Sequence, residues 1–174
     1  MIGYNRQRKR VITVAGIGNE FRGDDGVAIY ILKSLEKLVP THVNIAKLTE
    51  DPSNLLEIMR HTDTLIIVDA VNSPAPPGTI FHINVSSEPF PMDFFTVSTH
   101  CIDLAQTIEL ARMMGLLPGF VLIYGVVGKN FSFTTSLSQQ VKDSAEILKN
   151  KILSDIDKLL VIEKGEMQET RKLI

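Results

Sequence analysis

Four side chains in this sequence have the types and setting to do chemistry. The stretch "GIGNEFRGDDGVAIYIL", Gly16–Leu32, opens as a glycine loop and then carries two adjacent aspartates, Asp24 and Asp25. "TLIIVDA", Thr64–Ala70, is an apolar run that ends in an acid, Asp69. "VSTHCIDL", Val97–Leu104, puts His100 at the start of a helix. Two carboxylates and one imidazole are a mixed oxygen and nitrogen ligand set, suited to a borderline divalent transition metal with open coordination positions. Each residue also has a structural reading. Asp24 or Asp25 can cap the helix that follows, Asp69 can be a cap or a buried acceptor, and a histidine at a helix start can be structural. Cys101, beside His100, reads as a small buried hydrophobe.

A nucleotide is a poor fit to the loop. The dinucleotide fingerprint requires G-x-G-x-x-G, but Gly16-Ile17-Gly18-Asn19-Glu20 is followed by Phe21. The Gly-Lys-Ser/Thr of a Walker loop is also absent, and Glu20, Asp24 and Asp25 would repel a pyrophosphate. No serine–histidine–acid set is visible, and nothing in the sequence activates the single cysteine.

The elements that must position these residues alternate. Val11–Ile17 is a β-branched apolar run and reads as a strand buried on both faces. Val27, Ile31, Leu35 and Leu38 recur at helical spacing until Pro40. Val43–Leu48 is a weaker strand, and Asp51-Pro52 starts a helix with Asp51 as N-cap and Leu55, Leu56 and Met59 inside. Thr64–Ala70 is a third strand, closed by Asp69. After the turn "SPAPPG" comes a strand over Thr79–Val85, then the irregular, proline-bearing Ser86–Val97. A helix at about Ile102–Met114, a strand at Phe120–Val127 and a long helix from near Leu137 complete the chain. That last helix has Val141, Ala145, Leu148, Ile152, Ile156 and Leu159 on one face.

Strands alternating with helices predict a three-layer α/β/α sandwich on a mostly parallel twisted sheet of about five strands. One domain over residues 1–163 is expected, with 164–174 as a polar, fraying tail. In such sheets ligands sit beyond the carboxyl ends of the strands. If the first and third strands are neighbours, Asp25 and Asp69 therefore face one crevice, and His100 can reach it.

The chain has 174 residues, 44% apolar and 22% charged, with a formal net charge of -2. That length suits one soluble domain, and the charge gives no reason to expect nucleic acid or a membrane as partner. The basic run "RQRKR", Arg6–Arg10, reads as a solvated arm. A lone cysteine forbids an intrachain disulfide and points to the cytoplasm, and the apolar runs are too short to span a bilayer.

Taken in order, "GIGNEFRGDDGVAIYILKSLE", "TLIIVDA", "PPGTIFHI" and "VSTHCIDL" resemble the successive blocks of the nickel–iron hydrogenase maturation proteases, over about Val11–Leu148. The resemblance implies an endopeptidase, of a family grouped as aspartic-type. It would remove a short C-terminal extension from a hydrogenase large-subunit precursor after nickel insertion. It implies that Asp25, Asp69 and His100 are the metal-binding and catalytic residues. The nickel would be carried by the substrate, with cadmium or zinc as substitutes. A non-cleaving metal-binding chaperone of the precursor and a degenerate Rossmann-type domain are the alternatives. The sequence departs from the family after the second strand, where many members have Asp-Gly-Gly-Thr and this chain has "KLTEDPSN", placing Thr49 and Glu50 near the crevice.

Overall fold

The computed structural model describes the backbone of residues 10–48, 53–86 and 99–172, and the side chains of 10–48, 54–86 and 104–161. The elements are β1 (Ile12–Ile17), a 3-10 turn (Gly23–Gly26), α1 (Val27–Leu35), β2 (Val43–Leu48), α2 (Ser53–Arg60), β3 (Thr64–Val71), β4 (Ile80–Asn84), α3 (Thr99–Met113), β5 (Phe120–Val127) and α4 (Gln139–Lys172). The five strands form one sheet in the order β2-β1-β3-β5-β4. The first four are parallel, and β4 lies antiparallel against β5. This is the predicted α/β class.

The side chains of a strand alternate between the two faces of the sheet, and the core divides accordingly. Val14, Ile66, Val68, Leu122 and Tyr124 pack with α1 and α4. Ala15, Leu65, Ile67, Val121 and Ile123 pack with α2 and α3. Every residue of β1 and β3 is buried, which is why their sequences are mostly apolar, interrupted in β3 by Asp69. Helix α4 is fastened to the sheet through Tyr124, fully buried, whose hydroxyl bonds to Asp155 and whose ring stacks on His82 at 5.1 Å.

Four expectations need correcting. Helix α1 ends at Leu35, so Leu38 falls beyond the last turn and is exposed, not part of the inner face. Strand β3 runs two residues past Asp69, which pairs with Gly125 inside the ladder and does not close the strand. Helix α3 starts at Thr99, so His100 lies within its first turn. Helix α4 continues to Lys172 through the residues expected to fray; Glu, Lys, Met, Gln and Arg there are strong helix formers. The predicted Asp51 cap, Thr49, Glu50 and most of the basic arm lie outside the described residues. No helix among the described residues is long and apolar enough to cross a membrane.

The sheet opens where the site is. The β1–β3 ladder ends at Gly16↔Val68, while the β3–β5 ladder continues to Val71↔Val127. From β1 the chain winds outward to β2, and from β3 it winds the other way to β4 and β5. Adjacent strands whose connections diverge leave a crevice at their carboxyl ends.

Gly18 makes the exit from β1. Its φ is +143°, and a Cβ built there would overlap the carbonyl oxygen of Asp25. Gly18→Ala should therefore lose at least ~2 kcal/mol in urea unfolding, from backbone strain plus the clash. A loss below about 0.5 kcal/mol would contradict this account of the loop.

Candidate functional site

The crevice is built from the loop after β1 and the last turn of β3. The loop folds back on itself through local bonds. Asn19 Oδ1 accepts from the Phe21 N–H at 3.0 Å, and the Asn19 carbonyl accepts from Arg22 N–H at 3.0 Å. This brings Asp25, in the Gly23–Gly26 turn, over Gly18. There its Oδ2 accepts from the Asn19 N–H at 3.0 Å. Asp25 is buried, at 5% exposure.

Asp69 stands across from it. It has the parity of Leu65, Ile67 and Val71 on β3, all in the core on the α2/α3 side, so its carboxyl is on that side too. Asp69 is 3% exposed. Its Oδ1 accepts from the Ala70 N–H at 2.8 Å. Its Oδ2 is fully buried with no hydrogen-bond partner among the described residues. Burial, reinforced by the charge of Asp25 and only partly offset by the Ala70 bond, pushes the Asp69 carboxyl up to about 8. At neutral pH it holds a proton.

The two adjacent aspartates have separated. Asp24, with no exposed surface, turns away from the crevice to the connection between β5 and α4. Its Oδ2 accepts from the N–H groups of Lys129 at 2.7 Å and Asn130 at 2.9 Å and from the Ser138 hydroxyl at 2.9 Å. Its Oδ1 accepts from the Ser138 N–H at 2.6 Å. Burial opposes its charge, but these bonds outweigh burial and hold the carboxyl below its usual range. Asp24 thus braces the start of α4, the final helix, and not that of α1. The anchoring residues Lys129, Asn130 and Ser138 had no part in the sequence-based site. Their one signal is the polar run "GKNFSFTTSLS" before the last helix.

The fold therefore brings Asp25 and Asp69 together. Helix α3 is followed by residues 114–119 and then by the amino end of β5, so its first turn lies toward the carboxyl ends of the strands, on the α2/α3 side. His100 sits in that turn. Its side chain, and that of Cys101, lie outside the described residues. Among the described residues no three of His, Cys, Asp and Glu are grouped to hold a metal. A carboxyl with an orphaned buried oxygen beside a second carboxyl is nonetheless a donor set that fits a divalent cation. The cation would displace the Asp69 proton and satisfy the oxygen.

A doubly wound sheet with a crevice at its switch point hosts many unrelated functions, and the comparisons with known proteins narrow it. The family model described as hydrogenase maturation protease matches residues 29–155, which include Asp69 and His100 and begin four positions after Asp25. This chain belongs to the hydrogenase maturation protease family. It is 27% identical over 135 residues to the hydrogenase expression/formation protein HupD of Thiocapsa roseopersicina, a match over 76% of this chain and 61% of HupD. The hydrogenase maturating endopeptidase HybD of E. coli superposes with a TM-score of 0.76 at 26% identity, over 86% of this chain and 93% of HybD. The [NiFe] hydrogenase maturation protease HycI of Thermococcus kodakarensis superposes with a TM-score of 0.65 at 25% identity, over 84% of this chain and 92% of that one.

The Asp69 environment makes stability depend on pH. Because its folded value is raised from 3.8 to about 8, the folded state holds a proton that the unfolded chain releases. The stability this contributes is complete below about pH 3.8 and is lost as pH rises through about 8. The metal-free protein should lose up to ~1.4 kcal/mol per pH unit within that window. Asp69→Asn, neutral throughout, should remove that slope and be the more stable form at pH 8. Urea unfolding of both proteins at pH 5, 6, 7 and 8 checks this, and parallel slopes would refute it.

Proposed function

We propose that this chain is an endopeptidase that removes a C-terminal extension from the large-subunit precursor of a nickel–iron hydrogenase, after nickel has entered that subunit. Family membership supports the class. The observation that carries the finer reading is the orphaned Oδ2 of Asp69 beside Asp25, a buried pair needing a cation or a proton. In this reading nickel is part of the substrate. Asp25, Asp69 and His100 contact it on the precursor, and cadmium or zinc can take its place on the protease alone.

Three donors are fewer than the four of a closed structural site, so binding is firm only when the precursor's own ligands complete the coordination. Loaded and empty precursors are then discriminated by the ion. The nickel supplies polarisation of the scissile carbonyl or of the attacking water. The carboxylates supply the base: Asp69, deprotonated on contact with the cation, has a second oxygen at hand to accept a proton from water. The single cysteine fits work in the reducing cytoplasm.

The test is incubation of the protease with precursor purified with and without nickel, read by gel mobility and mass. Only the loaded precursor should be shortened. Asp25→Ala and Asp69→Ala should each slow cleavage by ~100-fold or more while retaining secondary structure. In His100→Ala, cadmium binding should weaken at every pH; in the wild type it should weaken as pH falls below about 8, where protons compete for Asp69. A wild-type protein that binds the loaded precursor and leaves it uncut would make it a chaperone. Efficient cutting of nickel-free precursor would remove the sensing role.

A further inference from the structure

We infer that Asp24 is the positioning residue for Asp25, acting as the bolt that ties the loop carrying Asp25 to the connection between β5 and α4. The inference rests on the proposed role of Asp25 in cleavage. It starts from the bonding of Asp24. The Asp24 carboxylate accepts four hydrogen bonds, at 2.6 to 2.9 Å, all from residues more than a hundred positions away. The Asp25 carboxylate, one residue on, accepts a bond from Asn19 within its own loop. A helix cap needs one or two acceptor contacts. Asp24 spans two separate backbone segments, the turn at Lys129 and Asn130 and Ser138, the residue just before α4.

Main-chain bonds run alongside and complete the joint. The Asp24 N–H donates to the Asn130 carbonyl at 2.8 Å, the Gly23 N–H to the Thr134 carbonyl at 2.6 Å, and the Thr134 N–H to the Phe21 carbonyl at 3.0 Å. Two glycines make room for it. A side chain at Gly23, where φ is +58°, would press on the Asn130 carbonyl, and one at Gly128 would meet the Phe131 ring and Asp24 Cβ. The loop after β1 is also attached through the Gly18 N–H to Leu48, at 3.3 Å, through the Glu20–Lys33 ion pair and through the start of α1. Bonds to an ionised carboxylate are the stronger kind, and a buried one fixes both its own position and its neighbour's. A displacement of about 1 Å at a catalytic group can cost ~100-fold in rate, so a residue that never touches substrate can govern turnover.

The Asn19 amide reports on Asp25 directly, because Asp25 Oδ2 is its acceptor. Three variants are compared with the wild type by amide hydrogen exchange and by cleavage of nickel-loaded precursor. Asp24→Asn replaces acceptor oxygens with a donor facing N–H groups. It should accelerate Asn19 exchange at least 10-fold, leave the amides of β3 and β5 protected, and lower kcat at least 10-fold with KM within a factor of about two. Ser138→Ala removes one of the four bonds and tests the bolt even where Asp24→Asn fails to fold; it should shift both readouts the same way by a smaller factor. Ser138→Thr keeps the hydroxyl on a partly exposed site and should restore both. Wild-type Asn19 exchange in both Asp24→Asn and Ser138→Ala would overturn the proposal, as would faster exchange with unchanged kcat. Undiminished cleavage by Asp25→Ala would instead bring down the role of Asp25, and the positioning role with it. The exchange data separate the two failures.

Discussion

Burying a carboxyl oxygen with no hydrogen-bond partner costs on the order of 1–3 kcal/mol, and Asp69 places at the centre of the sheet one that has none among the described residues. The rest of the site follows from tolerating it. A strand flanked by parallel neighbours and covered on both faces cannot relax to solvate the group, so the acid takes up a proton instead. The second carboxylate, Asp25, is held close enough for its charge to be felt at Asp69. A pair of acids prepared in this way is poised to exchange a proton for a cation. Each is held in place by the structure around it.

That rigidity has two sources. One is the sheet itself, in which β3 is locked between β1 and β5 until the β1 ladder ends at Gly16↔Val68, one residue before Asp69. The other is the loop, which reaches the crevice only because Gly18 accepts a conformation closed to other residues and lets the Asp25 carbonyl lie against it. The apparent phosphate loop therefore serves a different purpose. Its glycines allow close approach of backbone to backbone and carboxylate, not of backbone to phosphate. Its amide at Asn19 faces a carboxylate of the same chain.

Much of this was legible in the sequence, for a physical reason. Strands buried on both faces must be continuous apolar runs, so β1, β3 and β5 announce themselves, and the three-four spacing from Val141 to Ile156 fixes the buried face of α4. Once the strands are ordered, two acids after neighbouring parallel strands share a crevice. What local pattern cannot carry is long-range contact. Leu38 keeps the helical spacing but lies past the end of α1 and is exposed. The raised protonation of Asp69 depends on the depth of the sheet around it, and the partners of Asp24 lie more than a hundred residues downstream. His100 enters from the sequence through its place at a helix start and through resemblance, and from the structure through the backbone of its helix turn alone.

The divergence of Asp24 and Asp25 shows how one short motif can serve two masters. Successive residues of a 3-10 or α-turn project about 100–120° apart, so adjacent acids cannot both face one small crevice. One must find its partners elsewhere. In this chain that acid is surrounded by three backbone N–H groups and a hydroxyl, an environment that keeps it ionised. The other acid of the crevice, Asp69, is deprived of such donors and stays protonated. Burial opposes the charge of both; at Asp24 the hydrogen bonds outweigh it, and at Asp69 the single Ala70 N–H does not. Donors are spent on the acid that fastens the loop and withheld from the acid that faces the crevice. An Asp69 given the bonds of Asp24 would be satisfied and inert, so the Oδ2 left without a partner among the described residues is what leaves it open to a ligand.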